Sequence, residues 1–369
     1  MPTIILFYQS HGVNLEQAVL LKTILSLSIL LLEVPSGYLA DLKGRKFCLV
    51  AGSGIWIVGW LFYCFGDSFA IFAVAEILSG IAGSLISGAD TAIAYETLLL
   101  SNKESYYRSY QSRLVAIAGI SEACCGLIGA AVAQINLSYP FYLQTVCLII
   151  FFVITLTLIE PEVDRQIFKN KPAISLKAIA SEAFRHNDRL RWLIFLSSTF
   201  SMASFLIVWL SQGYFQQIDL PIAAMGITWA VFHFLMSLAG LYAVRLENTL
   251  GTKKAFLVLC LVLAFSYILL GSISSMVGIA AIALIYMVRG TVSPLVLNLI
   301  NRAVPSNIRA TVLSLNSFTF RLGFILIAPI IGAISSQYSL SLALLISGCF
   351  FGVIGSLFWF QLFNKKTLQ

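Results

Sequence analysis

Charge is what this sequence has least of. Only 11% of its 369 residues are Asp, Glu, Lys or Arg, where soluble domains carry about 25%. Hydrophobic residues make up 59%, more apolar surface than a water-facing fold can hide, so lipid is the solvent for most of the chain. Histidine is scarce as well, with only His11, His186 and His233. The seven cysteines (Cys48, Cys64, Cys124, Cys125, Cys147, Cys260 and Cys349) all lie inside apolar runs, with no CxxC pair, and no HExxH segment exists. No soluble-cofactor motif is visible either, so neither a metal nor a cofactor is expected. The cysteines read as small buried hydrophobes. Strict apolar–polar alternation is also missing, which argues against a lipid-facing β-barrel.

What the chain has in place of these is a series of long apolar runs. A spanning helix needs roughly 20 apolar residues. Runs at 15–40, 47–66, 69–98, 109–134, 138–159, 192–216, 221–246, 254–275, 278–301, 309–336 and 339–361 supply eleven full spans, numbered 2 to 12. The number 1 is kept for residues 1–9, MPTIILFYQ, which read as the last third of a truncated first span. This segment is too short to cross. It is no signal peptide, because no basic segment precedes it and no small-residue cleavage site follows. The expectation is that about 15–25 residues of span 1 are absent.

The net charge of +7 would suit a nucleic acid, but its placement does not. Apart from Lys22, Arg289 and Arg321, every Lys and Arg lies in or beside alternate connections: 41–46, 99–108, 160–191, 247–253, 302–308 and the C-terminus. The connections at 10–14, 67–68, 135–138, 217–220, 276–277 and 337–338 hold none. This is the positive-inside pattern, which places the basic set and the C-terminus in the cytoplasm and the chain in the cytoplasmic (inner) membrane. Residues 160–191 are the one long polar stretch. They separate an N-terminal transmembrane bundle over 1–159 from a C-terminal one over 192–369. Within the linker, 174–186 (ISLKAIASEAFRH) has apolar residues at helical spacing and reads as an amphipathic helix on the cytoplasmic surface.

Polar residues inside spans are expensive, so they need a partner or a task. Span 2 sets Lys22, Ser26, Ile29, Glu33 and Gly37 on one helix face. Span 4 has a stripe of Glu76, Gly80, Gly83, Ser87 and Asp90, and span 5 one of Gly119, Glu122, Gly126, Gly129 and Ala133. The acids Glu33, Glu76, Asp90 and Glu122 all belong to the N-terminal half, and Arg289 and Arg321 to the C-terminal half. Either the acids neutralise the arginines across a central cleft until a proton or an anionic substrate breaks the pairs, or each charge is paired within its own bundle. His233 is either a proton relay or a hydrogen-bonded bundle residue. Trp209, Gln212, Tyr214 and Trp229 can stack on or hydrogen-bond a substrate, or anchor the interface.

The most telling ten residues are 37–46, GYLADLKGRK, a basic hairpin between spans 2 and 3. Gly37, Leu39, Ala40, Asp41, Gly44, Arg45 and Lys46 fit the order G-x-L-A-D-x-x-G-R-K. This resembles the loop motif of the major facilitator superfamily. Gly37 would let the helix end approach a neighbour, and Gly44 would permit the tight turn. The segment 239–254, AGLYAVRLENTLGTKK, echoes it weakly through Gly240 and Gly251, without the Asp. Arg309-Ala310-Thr311-Val312-Leu313-Ser314, opening span 11, is similar to the family too.

The resemblance implies two six-helix bundles related by a pseudo-two-fold axis, with a substrate site between them near midplane. It implies that Asp41 latches a cytoplasmic gate against the start of span 11 and that Arg45 pairs with an acid such as Glu96. The chain departs from the family in three places: Glu76 stands ahead of Gly80 where many proton-coupled members have Arg, span 5 keeps Gly126 and Gly129 without the Pro of drug antiporters, and most of span 1, which lines the cavity in the family, is expected to be missing. The expected protein is a monomeric carrier, not an enzyme, moving a small solute by alternating access in a lipid bilayer. Proton-coupled efflux of an organic compound is the first expectation, an uptake permease or uniporter the alternative. A non-transporting receptor or scaffold is the rival of another class. An intramembrane protease would need a second motif to match Asp90, and none exists.

Overall fold

The computed structural model describes residues 1–103, 106–161, 187–304 and 306–364, and it is helical throughout, with no strand among them. The elements are α1 (Ile4–Ser10), α2 (Leu15–Lys43), α3 (Arg45–Phe65), α4 (Phe69–Ile86), α5 (Ala89–Leu100), α6 (Tyr107–Ala133) and α7 (Tyr139–Thr157), followed by α8 (Asp188–Gln217), α9 (Ile222–Leu250), α10 (Thr252–Ser272), α11 (Val277–Ala303), α12 (Ser306–Gln337) and α13 (Leu340–Leu362). Among the described residues ten spans are long and apolar enough to cross a membrane, α4 and α5 together counting as one. The expected eleventh, span 5, is the 27-residue α6 (Tyr107–Ala133). The amphipathic helix expected at 174–186 lies outside the described residues.

Helix ends follow local chemistry. Asn14 caps α2 in a capping box, its side chain accepting from Gln17 N–H at 2.8 Å while Gln17 accepts from Asn14 N–H at 3.0 Å. Asn187 caps α8 and Ser339 caps α13 by accepting from Leu190 and Leu342 N–H, without the reciprocal bond. The lipid side can be read from the exposed apolar residues. On α10, Val258, Leu261, Phe265 and Ile268 recur at spacings of three and four and face outward. Four cysteines expected to be buried are exposed, Cys124, Cys125, Cys147 and Cys349, while Cys48 and Cys260 are buried. An outward thiol costs nothing where the solvent is itself apolar.

The packing separates into two bodies. In the first half α2, α3, α4 and α7 pack on one another, with cores around Phe7, Tyr63, Phe72 and Phe141 and around Cys48 and Leu85. In the second half α8 is the central helix, its apolar window 78% buried against α11, α12 and α13. The halves meet along two seams, α2 against α12 and α6 against α9. Small residues make the second seam close. A Cβ on Gly126 would strike the Trp229 ring, and one on Gly226 would strike Ala130. The span-5 glycine stripe, apart from Gly129, is therefore a packing surface between halves.

Span 4 is broken where the sequence shows one apolar run. Gly88 has φ +84°, and Ser87 ends α4 with its N–H on Gly83 O at 2.8 Å. The expected stripe is thus split between two half-helices, with Asp90 on the second. Gly37 also differs from expectation. A Cβ there would meet nothing within 4 Å, so it supports no close approach.

Candidate functional site

The loop at 41–46 assembles as a charged clasp. Gly44 adopts φ +107°, open to glycine and strained for any other residue, and so turns α2 directly into α3. The turn brings Arg45 within 2.8 Å of Asp41 and 3.3 Å of Glu96, the acid expected from the sequence. A further acid is present. Glu160, just beyond α7, accepts the backbone N–H groups of Arg45 at 2.7 Å and Lys46 at 2.5 Å, one on each carboxylate oxygen. A carboxylate there satisfies two unpaired donors of α3 and meets the positive end of its dipole. Sequence reading missed this role. The available signal was an acid immediately after a span, on the side where basic loops gather. The start of span 11, the implied partner of Asp41, has no described side chains over 306–310. The echo loop repeats the backbone, with Gly251 at φ +75°, ψ 150° against 107° and 158° at Gly44. It lacks the clasp, and Glu247 receives the Thr252 hydroxyl at 2.8 Å.

At the opposite end lies a buried polar cluster. Lys22 on α2 and Glu76 on α4 form an ion pair, exposed by only 3% and 2%. Tyr8 donates to Glu76 at 2.8 Å, accepts from Lys22 at 3.2 Å, and lies 3.0 Å from the Tyr63 hydroxyl. Trp209 of α8 lies over Lys22, 4.7 Å from ammonium to ring centre, so the other half contributes to the cluster. Next to it Gln212, fully buried, accepts from Ile5 N–H at 2.9 Å and donates to Met1 O at 3.3 Å. Gln216 bonds Gln9 one turn on. Gln212 therefore fastens α1 to α8. Tyr8 belongs to a segment whose apolar composition gave no sign of this.

Midway along the α6–α9 seam, His233 Nδ1 lies 2.6 Å from Glu122 Oε2, a contact of ion-pair length without hydrogen-bond alignment. Trp229 and Tyr286 flank the imidazole with centroids at 5.1 and 5.6 Å. The pair joins the two halves, as does the through-space interaction of Glu33 on α2 with Arg321 on α12. Arg289 acts on Glu122 from further away. Neither arginine has a carboxylate within 4 Å among the described residues. Asp90 is brought to none of them. It is exposed and accepts only from Thr91 N–H at 2.6 Å.

A cavity of about 470 Å³ opens between α8, α11 and α12, and both arginines line it. Its polar wall includes Ser204 and Asn316, its apolar wall Phe205 and Phe320. Burial along two helix faces shows how it is reached. On α2 the face runs from Lys22 and Ser26, both buried, through half-buried Glu33 to exposed Gly37. On α4 and α5 it runs from buried Glu76 and Gly80 to exposed Ser87 and Asp90. The halves touch at the end holding Tyr8, Lys22 and Gln212 and diverge toward the basic loops.

Two seams between halves, with repeated glycine turns, define a helical membrane protein of the two-bundle kind. The family model of the Major Facilitator Superfamily matches residues 1–328, and the chain belongs to that superfamily. It is 24% identical over 357 residues to an uncharacterized MFS-type transporter, YxaM, of Bacillus subtilis (strain 168), covering 92% of this chain and 86% of the relative. Among solved structures, the nucleoside transporter NupG superposes with a TM-score of 0.81 at 14% identity, over 99% of this chain and 95% of that one. A D-xylose-proton symporter superposes at 0.70 and 14% identity, over 94% and 87%. These structures share the fold. The chain is therefore an integral, multi-pass membrane protein of a transporter family.

Proposed function

We propose that this chain is a monomeric secondary active carrier that moves a small organic solute across the cytoplasmic membrane by alternating access. The observation that supports this most is the distribution of contacts between the halves. They are concentrated at the end without Lys or Arg in its connections, around Gln212, and give way to a cleft reaching the arginine-lined cavity from the basic end. With the basic loops and the C-terminus in the cytoplasm, this is an inward-open arrangement. The bundles of 1–159 and 192–369 rock about the α2–α12 and α6–α9 seams, and the Asp41–Arg45–Glu96 clasp holds the shape of the cytoplasmic gate.

Protons are the coupling ion in this reading, through Glu33 and Glu122. Proton-driven efflux is the direction expected from the resemblance. The relation of Glu33 to Arg321 favours the alternative, uptake. A solute that engages Arg321 leaves Glu33 without its counter-charge, and a carboxylate so left in a cleft takes up a proton. Solute and proton then load together, which is symport.

The test is proton flux in proteoliposomes of the full chain, with lipophilic cations, organic anions and sugars added outside in turn. Lumen acidification triggered by one class, lost in Glu33→Gln, is the expected result. Alkalinisation would establish antiport and efflux. Saturable solute exchange without proton movement would make the chain a uniporter. Spin labels at Leu42 and Leu250 should approach on solute addition while labels at Ile135 and Tyr338 separate. Unchanged distances at both ends, with no flux, would favour a receptor or scaffold.

A further inference from the structure

The 470 Å³ cavity has walls that specify a ligand more closely than its size does. Three polar atoms along it are buried without a hydrogen-bond partner: Ser204 Oγ, Asn316 Oδ1 and Arg321 Nε. Ser204 is only 2% exposed. An orphaned polar atom in a low-dielectric setting is costly, and orphans converging on one space mark where a polar ligand group would restore what is missing. Two of these three, the Ser204 hydroxyl and the Arg321 Nε–H, are donors.

The electrostatics point the same way. Two guanidinium groups, Arg289 and Arg321, line the cavity. The groups facing them are Glu33 from α2, Glu122 and His233 from the α6–α9 seam, and Tyr286 from α11. Glu122 is held at contact distance by His233, and Glu33 stands off Arg321 by more than 4 Å. The cavity therefore presents a guanidinium edge and a hydroxyl donor with no anion in contact. Its remaining walls, including Phe200, Phe205, Phe320 and Val296, are apolar. A bare inorganic ion would leave those walls unused, and a neutral polyol would leave the guanidiniums unpaired.

We infer that the cavity binds a small organic anion, a carboxylate or phosphate monoester on an apolar or aromatic body. The acid group pairs with Arg321 and the Ser204 hydroxyl, Arg289 supplies long-range attraction at the mouth, and the body lies among the phenylalanines. Glu33 is the internal competitor of the ligand for Arg321. This rests on the carrier reading for its biological meaning, while the binding itself can be measured without transport.

The experiment is isothermal titration of the purified full chain in detergent with 3-phenylpropionate, indole-3-acetate and phenyl phosphate, each beside its neutral counterpart (3-phenylpropionamide, indole-3-acetamide and phenol). At least one acid should bind at least tenfold more tightly than its counterpart. That preference should be lost in Arg321→Gln, weakened in Arg289→Gln and strengthened severalfold in Glu33→Gln. Arg289 is exposed, so its variant keeps the test alive if Arg321→Gln does not fold. Equal binding of acids and neutral counterparts, no binding by any acid, or a preference that survives both arginine substitutions would overturn the inference. Spin-label distances recorded in the same samples separate the two readings. Motion at both ends without acid preference leaves the carrier and removes the anion. Acid preference without motion keeps the anion site and removes the carrier.

Discussion

The two ends of this molecule are built from different materials. At the end whose connections lack Lys and Arg, contact between the halves is dry and buried: Trp209 over Lys22, Gln212 on Ile5, and Gly332 against Val19, where a Cβ would sit 3.3 Å from the valine. At the basic end, charge is used at the surface and within one half. Arg45 is shared among Asp41, Glu96 and the turn that Glu160 caps. The comparison teaches that closure between the halves depends on burial and shape, while the open end depends on keeping each half's own shape when nothing leans against it.

The largest expected effect falls at the closed end. Lys22→Met leaves Glu76 buried and uncompensated and should cost about 3–5 kcal/mol, read from thermal unfolding in detergent. The paired replacement Lys22→Met with Glu76→Leu should recover most of that loss. If the single variant unfolds no earlier than the pair, the cluster is not what holds this end. Next come the two glycine turns. Gly44→Ala and Gly251→Ala should each cost roughly 1–2 kcal/mol by the same measurement, because both force a side chain to positive φ. Markedly unequal losses would show that the clasp, present at only one of them, dominates the backbone.

Glu160→Gln should cost about 1 kcal/mol through weaker capping of α3, with faster hydrogen exchange at Arg45 and Lys46 amides as the local readout. Unchanged exchange there would remove the cap from the account. The smallest effect is expected at Gly37. Gly37→Ala should lie within about 0.5 kcal/mol of the parent, since the added methyl meets open space. A severe loss of transport with intact stability would mean that Gly37 is approached closely in another state of the cycle.

Much of this was legible in the sequence because lipid makes composition diagnostic. Every full-length apolar run but 69–98 became one helix within a few residues of its expected ends, and Glu96 could be named beside Arg45 because the family resemblance implies an acid there. The break at Ser87–Gly88 was not legible. Apolar residues continue on both sides, and it is the backbone torsion of Gly88 that marks a joint in place of a continuation. Gly37 misled for the complementary reason, since a glycine's identity does not tell whether a neighbour is near. Gly240, its counterpart in the echo loop, does have one: a Cβ there would lie 3.3 Å from Gly290 O. The reach of Tyr8 into the Lys22–Glu76 pair depends on how a seven-residue helix seats in the bundle, which short-range pattern cannot give.

The break in span 4 also has a mechanical meaning. Glu96 on α5 belongs to the Arg45 clasp, and Glu76 on α4 takes part in the buried cluster at the far end. A stiff rod of 32 residues would transmit torque from one to the other as a lever does. With a knuckle at Gly88 the lower arm can swing while the upper arm stays anchored, so strain at one end is not delivered to the other.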